Sequence, residues 1–187
     1  MRIISGALRS KKLFTPKDDT KIRPTSDRAR EAVFNIITAK LNTPFSDLSV
    51  LDIFSGTGAL GLEAASRGAK SITFVDIDLE LTQKNAKLCG FNNLSFIKKD
   101  ATKLSPAQMP YDLVFLDAPY NQGLTTPTLN ALIKGNYLKP KTLIIAETAK
   151  AEALDIPSLL KLIDERIYGA ARFSFLTPTG ENHEKTF

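Results

Sequence analysis

Cysteine, histidine and tryptophan are nearly absent from this 187-residue chain. It contains one cysteine, Cys89, one histidine, His183, and no tryptophan. A single cysteine cannot form an internal disulfide, and one residue of each kind is too few for an ordinary zinc site, so we expect no disulfide and no metal. His183 lies in a polar tail, which argues against a Ser-His-Asp or Cys-His catalytic arrangement.

Long hydrophobic runs are absent as well. No apolar stretch approaches the ~18 residues that a membrane-spanning helix needs. The start of the chain, MRIISGALRSKK, lacks the long apolar segment of a signal peptide. We therefore expect a cytoplasmic protein with no membrane partner. The length and the 43% of hydrophobic residues suit one globular protein with a sizeable core.

Positive charge is concentrated at the beginning of the chain. Residues 1–30 contain nine Lys or Arg and three Asp, a net charge of +6, whereas the remainder has a net charge of −1. Such an asymmetry favours a polyanionic partner such as a nucleic acid. A solvated arm that only keeps the protein soluble is the alternative.

The order of predicted elements indicates the fold class. Short β-prone pieces around Gly6 favour a small hairpin, and a helix is predicted from about 26 to 41. Strands are then predicted at 49–54, 71–76, 94–100, 111–117 and 142–147, and helices at 59–68, 79–90, 125–135 and 157–164. One or two closing strands follow at 166–177. The alternation is typical of an α/β domain with a mostly parallel central sheet flanked by helices.

Four acids come at or near the ends of predicted strands: Asp52, Asp76, Asp100 and Asp117. Ligands of parallel α/β sheets bind outside the carboxyl ends of the strands. One rim of the sheet is therefore the predicted site, although capping or chance could explain any single acid.

A glycine-rich stretch follows the first of these strands. Gly56, Gly58 and Gly61 fit the pattern G-x-G-x-x-G, and Asp76 comes 20 residues after Gly56. The glycines permit a tight turn and a close approach of the backbone to a ligand, and the acid can accept hydrogen bonds from a ribose. NAD or another ribose-bearing cofactor fits this pattern, and a tight turn with no ligand is the alternative.

The same loop resembles the first motif of S-adenosylmethionine-dependent methyltransferases with a Rossmann-like fold. The pattern D-x-F-x-G-x-G is formed by Asp52, Phe54, Gly56 and Gly58. The resemblance implies that these residues bind S-adenosylmethionine, with the loop along its methionine part. It also implies that Asp76 binds the ribose hydroxyls and that Asp100 and Ala101 lie at the adenine. A surface acid at a strand end is the alternative for Asp100.

The strand at 111–117 ends in Asp-Ala-Pro-Tyr, residues 117–120. This resembles the D-P-P-[YF] motif of enzymes that methylate exocyclic amino groups of bases, with Ala118 in place of a proline. The resemblance implies that Asp117 and the carbonyl of Ala118 accept the amino N–H groups, and that Tyr120 offers a face to a flipped-out base. Pro119 restricts the backbone between them. An ordinary turn with Tyr120 in the core is the alternative.

Two stretches near the N-terminus point to one family. The pattern R-I-I-x-G-x-x-R-x-x-x-L is matched by Arg2, Ile3, Ile4, Gly6, Arg9 and Leu13. The pattern R-P-T-x-D-x-x-[KR]-E-x-[LV]-F-N is matched by Arg23, Pro24, Thr25, Asp27, Arg30, Glu31, Phe34 and Asn35. Together with the motifs above, they are similar to the bacterial 16S ribosomal RNA guanine-N2 methyltransferase family, a resemblance that extends to about residue 150.

The resemblance implies a class I methyltransferase that methylates N2 of one guanine in small-subunit ribosomal RNA, within the small ribosomal subunit or its precursor. We predict a basic hairpin and arm, 1–25, and a methyltransferase domain, 26–187. Residues 1–30 are expected to contact RNA and to add little to cofactor affinity. The predicted substrate-binding residues are Arg2, Arg9, Lys11, Lys12, Arg23, Thr25 and Arg30.

Three other functions remain open. Methylation of adenine in DNA would share residues 117–120, but we see no target-recognition insertion in the sequence. An NAD-dependent oxidoreductase would share the glycine loop but would need neither Asp52 nor the Asp-Ala-Pro-Tyr stretch. A non-catalytic RNA-binding module would share the basic arm without a complete cofactor rim.

Overall fold

The computed structural model describes residues 1–16 and 26–180, and these ranges contain four α-helices and seven strands. The helices are α1 (Asp27–Leu41), α2 (Ala59–Ser66), α3 (Glu80–Cys89) and α4 (Thr125–Lys134). The strands are β1 (Ser49–Ile53), β2 (Ser71–Asp76), β3 (Leu94–Lys98), β4 (Tyr111–Asp117), β5 (Leu138–Ala149), β6 (Leu160–Tyr168) and β7 (Ala171–Pro178). Short 3₁₀ turns lie at Phe45–Asp47 and Ala101–Lys103.

All seven strands belong to one sheet, in the order β3-β2-β1-β4-β5-β7-β6. Strands β1 to β5 pair in parallel, and β7 is antiparallel to both of its neighbours. The prediction of a mostly parallel α/β sheet is confirmed. The chain leaves β1 toward β2 and β3 and returns to β4 on the other side, so a topological switch point lies between β1 and β4, where ligands of such sheets bind.

The side chains of the sheet alternate between two hydrophobic cores, as β4 illustrates. Leu113 and Phe115 lie in the core that α1, α2 and α3 cover. Val114 and Leu116 lie in the core that α4 covers. All four side chains are buried, which explains why the central strands are apolar without interruption.

Local signals predicted the first helix well. Ser26 caps α1, since its hydroxyl accepts a hydrogen bond from the N–H of Ala29 at 3.2 Å. The helix ends at Leu41, where Asn42 adopts a left-handed conformation. Its buried face, which includes Val33, packs on the sheet as the apolar spacing indicated.

The prediction of a helix at 157–164 is wrong, because β6 begins at Leu160 and runs to Tyr168. This strand pairs with β7 from Leu160 opposite Pro178 to Tyr168 opposite Ala171. Gly169, with φ of +63°, lies in the turn between them. Pairing with β7 therefore outweighs the local apolar spacing that favoured a helix. The predicted strand at 142–147 is also longer, since β5 covers Leu138–Ala149.

The first 16 residues fold back on themselves, as the hairpin prediction required. Arg2 and Lys12 form an antiparallel bridge, and the N–H of Ile3 donates to the carbonyl of Lys11 at 2.9 Å. Ile3 and Leu13 are buried in the core under α1 to α3, so this segment packs directly on the sheet domain. The domain boundary proposed at residue 25 lies outside the described residues.

Within the described ranges, the helices are too short or too polar to cross a membrane.

Candidate active site

The loop between β1 and α2, residues 54–58, is named the cofactor loop. Phe54, Gly56 and Gly58 have φ of +59°, +51° and +75°, conformations that favour glycine. A Cβ on Gly58 would lie 2.9 Å from Cγ2 of Thr82, whereas a Cβ on Gly56 would meet nothing nearer than 3.9 Å. Gly58 thus packs closely on the protein, and Gly56 leaves open space beside the backbone, as a ligand would require.

Polar side chains of α3 hold the cofactor loop. The hydroxyl of Thr82 donates to the carbonyl of Gly56 at 2.8 Å and lies 3.0 Å from the hydroxyl of Ser55. The amide of Asn85 donates to the carbonyl of Thr57 at 2.9 Å. Sequence reasoning missed Thr82 and Asn85. Their signal was their spacing, because polar residues three apart on one helical face can both point at the same loop.

Asp52 supports the loop from inside the protein. Its side chain is buried, and Oδ2 accepts a hydrogen bond from the N–H of Gly61 at 2.8 Å. Gly61 must be small, since a Cβ there would lie 2.4 Å from the ring of Phe74. Burial raises the pKa of Asp52 to about 7; the Gly61 hydrogen bond opposes this, and the charge of Asp76 adds to it. Asp52 thereby ties α2 to β1 beneath the loop.

We expect Asp52→Asn to change how stability depends on pH. In the folded protein the carboxyl has a pKa of about 7, against an ordinary value of 3.8. Its contribution to stability is therefore complete below about pH 4 and is lost as pH rises through 7, with a slope of up to about 1.4 kcal/mol per unit. An amide can still accept from Gly61 but does not titrate. The free energy of unfolding of Asp52→Asn, measured in urea, should thus increase relative to that of the wild type as pH rises from 5 to 8. A difference that is constant across this range would contradict the prediction.

Asp76 and Asp100 lie at the ends of β2 and β3, but they differ in surroundings. Asp76 accepts from the N–H of Gly56 at 2.9 Å through Oδ2 and from the N–H of Asp78 at 3.1 Å through Oδ1. Each carboxylate oxygen can accept a further bond. Asp100 caps the turn Ala101–Lys103, and its hydrogen bonds to Thr102 lower its pKa.

Of the two residues predicted to lie at the adenine, only Asp100 has a polar side chain. Ala101 is 2% exposed and packs in the core that α4 covers, so its side chain is not accessible to a ligand.

Asp117, at the end of β4, lies beside a residue that the sequence did not single out. Glu147 on β5 is in register with Asp117 and is 4% exposed. It accepts a hydrogen bond of 2.5 Å from the hydroxyl of Tyr120. Ala118 is buried, whereas Pro119 and Tyr120 are exposed, the tyrosine by 36%. The ring of Tyr120 is therefore accessible while its hydroxyl is fixed.

The carboxyl groups around Asp117 favour retention of a proton. Desolvation, the charge of Glu147 and the charge of Asp52 all raise the pKa of Asp117 well above its ordinary value. Desolvation and the neighbouring Glu147 also raise the pKa of Tyr120, so its hydroxyl stays protonated and can donate. The site thus combines hydrogen-bond acceptors with an exposed aromatic face.

The predicted RNA-binding residues fall into three groups. Arg9, Lys11 and Lys12 are exposed, and Arg2 is also exposed while it pairs with Asp27 at 2.7 Å. Arg30 is 2% exposed and binds Asp27 at 2.6 Å and the carbonyl of Arg2 at 3.0 Å. We therefore correct its role: Arg30 holds the N-terminal segment and is not presented to a phosphate. Arg23 and Thr25 lie outside the described residues.

The topology brings the cofactor loop and residues 117–120 together, because β1 and β4 are neighbours at the switch point. A glycine loop after β1, an acid at the end of β2 and an Asp-x-Pro-aromatic turn after β4 lie on a mostly parallel sheet with an antiparallel β7. This is the fold of a class I methyltransferase.

Comparisons with known proteins agree with this class. A family model described as "Conserved hypothetical protein 95" matches residues 1–177. The ribosomal RNA small subunit methyltransferase D of Escherichia coli K12 is 33% identical over 185 residues, which cover 92% of this chain and 87% of that protein. The protein of the same name from Haemophilus influenzae is 32% identical, over 92% and 91% of the two chains.

A solved structure agrees as well. A structure from Escherichia coli that carries a provisional methyltransferase name superposes with a TM-score of 0.80 at 32% identity, over 95% of this chain and 97% of that one. The chain therefore belongs to the family that the model for "Conserved hypothetical protein 95" describes, together with these ribosomal RNA small subunit methyltransferase D relatives.

Proposed function

We propose that this protein transfers a methyl group from S-adenosylmethionine to the exocyclic N2 amino group of a guanine in small-subunit ribosomal RNA, in the cytoplasm. The observation that carries the proposal is the placement of Asp117 and Ala118 beside the cofactor loop at the β1/β4 switch point. The names of the relatives support methylation of small-subunit ribosomal RNA. The resemblance of residues 117–120 to base amino-methyltransferases supports an exocyclic amino group as the acceptor. The choice of guanine N2 rests on the two N-terminal stretches that resemble the guanine-N2 methyltransferase family.

The residues around the cofactor loop fit S-adenosylmethionine. The open space beside Gly56 admits a ligand against the backbone, and Asp76 retains acceptor capacity for ribose hydroxyls. Asp100 and Ala101 are proposed to lie at the adenine. When bound, S-adenosylmethionine supplies an electrophilic methyl group.

The chain's own residues prepare the nucleophile. The lone pair of a guanine amino group is delocalised into the ring, so the nitrogen is a poor nucleophile. Asp117 and the carbonyl of Ala118 each accept one N–H and hold the lone pair out of the ring plane. Tyr120 stacks on the base, and Glu147 keeps the tyrosine hydroxyl in place. Once it carries the methyl group, the nitrogen is cationic and acidic enough to release its proton to water.

The exposed cations of residues 1–12 are proposed to bind RNA phosphates. Replacing Arg9, Lys11 and Lys12 together by alanine should weaken RNA binding and reduce the log–log salt slope by roughly 0.7–0.9 for each phosphate that the variant no longer neutralises. Affinity for small-subunit RNA across a salt series measures this. The affinity for S-adenosylmethionine should not change, because these three side chains are exposed.

A matched control removes the same charge elsewhere. Lys134 ends α4, Lys141 lies near the start of β5 and Lys161 near the start of β6, and all three are exposed. Their replacement by alanine should leave the slope closer to that of the wild type. Equal salt slopes in the two triple variants would show that the N-terminal cations add only net positive charge and do not bind phosphates specifically.

The direct test is to methylate small-subunit RNA, free and as assembled subunit, and to digest it for mass spectrometry. The expected product is N2-methylguanosine at one position. Methylated adenine as the product would contradict the proposal. So would a calorimetric titration in which the protein binds NAD but not S-adenosylmethionine.

A further inference from the structure

One buried side chain joins the start of the chain to the cofactor loop. Asn85 on α3 is fully buried. Its Oδ1 accepts the N–H of Phe14 at 2.7 Å, and its Nδ2 donates to the carbonyl of Phe14 at 3.0 Å and to that of Thr57 at 2.9 Å. Both amide hydrogens and the amide oxygen are therefore used, two on the N-terminal segment and one on the loop.

Residues 1–16, named the N-terminal strap, are also fastened to α2. The buried carboxylate of Glu63 accepts the N–H of Ile4 at 2.6 Å and that of Ser5 at 3.0 Å. Gly6 lies so close to α2 that a Cβ there would be 1.9 Å from the carbonyl oxygen of Ser66. The strap thus spans the two helices that follow β1 and β2, which are the helices that flank the cofactor loop.

The strap and the loop meet at a second point. The hydroxyl of Thr57 donates to the sulfur of Met1 at 3.3 Å. The peptide group between Thr57 and Gly58 is fixed at both ends, since its carbonyl accepts from Asn85 and its N–H donates to the carbonyl of Ser55 at 2.6 Å. Gly58 is one of the left-handed residues of the loop, so the orientation of this peptide determines the path of the backbone.

We propose that Asn85 is a positioning residue for cofactor binding, which fixes the cofactor loop to the N-terminal strap. The inference rests on the proposed function only in taking S-adenosylmethionine as the ligand of the loop. Without the Asn85 amide, the carbonyl of Thr57 would be left without its buried donor and the loop would be free to adopt other conformations. The free energy of reordering it would then be subtracted from the cofactor affinity.

This inference revises the expectation that the start of the chain adds little to cofactor affinity. The exposed cations of the strap and its buried backbone serve different purposes. The cations face solvent, whereas the backbone of Phe14 binds Asn85 beneath the loop. The same segment can therefore contact RNA on one side and support the cofactor loop on the other.

A purely structural role for Asn85 is the competing interpretation, and Asn93, which is half-buried, offers a comparison. Asn93 also donates through Nδ2 to two backbone carbonyls, those of Ala69 at 2.7 Å and Lys70 at 3.2 Å. These residues precede the amino end of β2, whereas the cofactor loop follows the carboxyl end of the parallel strand β1. Asn93→Ala therefore removes a similar link between chain segments without reaching the loop.

The experiment compares the calorimetric affinity for S-adenosylmethionine of the wild type, Asn85→Ala and Asn93→Ala, with urea unfolding of each. Asn85→Ala should weaken binding about tenfold or more, and Asn93→Ala should stay within about twofold at 25 °C. Affinity in Asn85→Ala within the same twofold, or an equal loss in Asn93→Ala, would overturn the inference.

A measurement on the wild type decides the matter if Asn85→Ala does not fold. Binding of S-adenosylmethionine should slow hydrogen exchange of the Phe14 amide, because that N–H donates to Asn85. An unchanged exchange rate would overturn the inference. Neither readout involves RNA, so a protein that binds the cofactor but makes no N2-methylguanosine contradicts the proposed function alone. A wild type that does not bind S-adenosylmethionine contradicts both.

Discussion

Replacing Asp117 by alanine should lower the rate of methyl transfer by about 100-fold or more while the protein still folds. A hydrogen-bond partner that acts on the reacting group is typically worth this much. The fold should persist because desolvation and the charges of Glu147 and Asp52 already disfavour the ionised carboxylate. Removing the carboxyl group relieves that repulsion. Single-turnover rates at saturating S-adenosylmethionine, with urea unfolding as the control, measure both parts.

The variant Asp117→Asn distinguishes a hydrogen-bond acceptor from a base. An amide oxygen can still accept the N–H of the base, so this variant should retain more activity than Asp117→Ala. The nitrogen becomes acidic only once it carries the methyl group, so a base is not needed at the start. Equal loss of activity in the two variants would show that the carboxyl must take the proton.

Much of the candidate site was predictable because its signals are local. The spacing of the glycines, the acid 20 residues later and the Asp-x-Pro-aromatic stretch can all be recognised in short parts of the sequence. The structure puts Gly56 and Asp76 in direct contact at 2.9 Å. It also places the end of β4 next to that of β1. The alternation of strands and helices was sufficient to predict the parallel sheet.

The residues that were missed reach the site through tertiary structure. Glu147 lies in a strand with no motif, and only the pairing of β4 with β5 brings it beside Asp117. Asn85 and Glu63 contact residues 71 and 58 or 59 positions away in the chain. Arg30 is a cation in a basic segment and was therefore predicted to contact RNA, yet it is buried against Asp27. Strand β6 likewise depends on its pairing with β7, which the apolar spacing of 157–164 does not indicate.

Asp76 presents the clearest case of one side chain with two tasks. Its Oδ2 accepts from Gly56 in the cofactor loop, and its remaining acceptor capacity is proposed for the ribose hydroxyls. Both tasks are lost in Asp76→Ala, which should weaken S-adenosylmethionine binding by roughly 1.5–3 kcal/mol, or ~10- to 150-fold. Asp76→Asn keeps one acceptor oxygen and should lie between this variant and the wild type.

The neighbouring Asp78 supplies the control for that prediction. Its Oδ1 accepts from the N–H of Glu80 at the start of α3, at 3.1 Å, and it carries the same charge two residues away. If the effect of Asp76 were only a change of charge near the cofactor, Asp78→Ala would reproduce much of it. We expect Asp78→Ala to bind S-adenosylmethionine nearly as the wild type does, in the same calorimetric titration. Unchanged affinity in Asp76→Ala would remove Asp76 from the site, because neither the loop nor the ligand would then depend on its carboxylate.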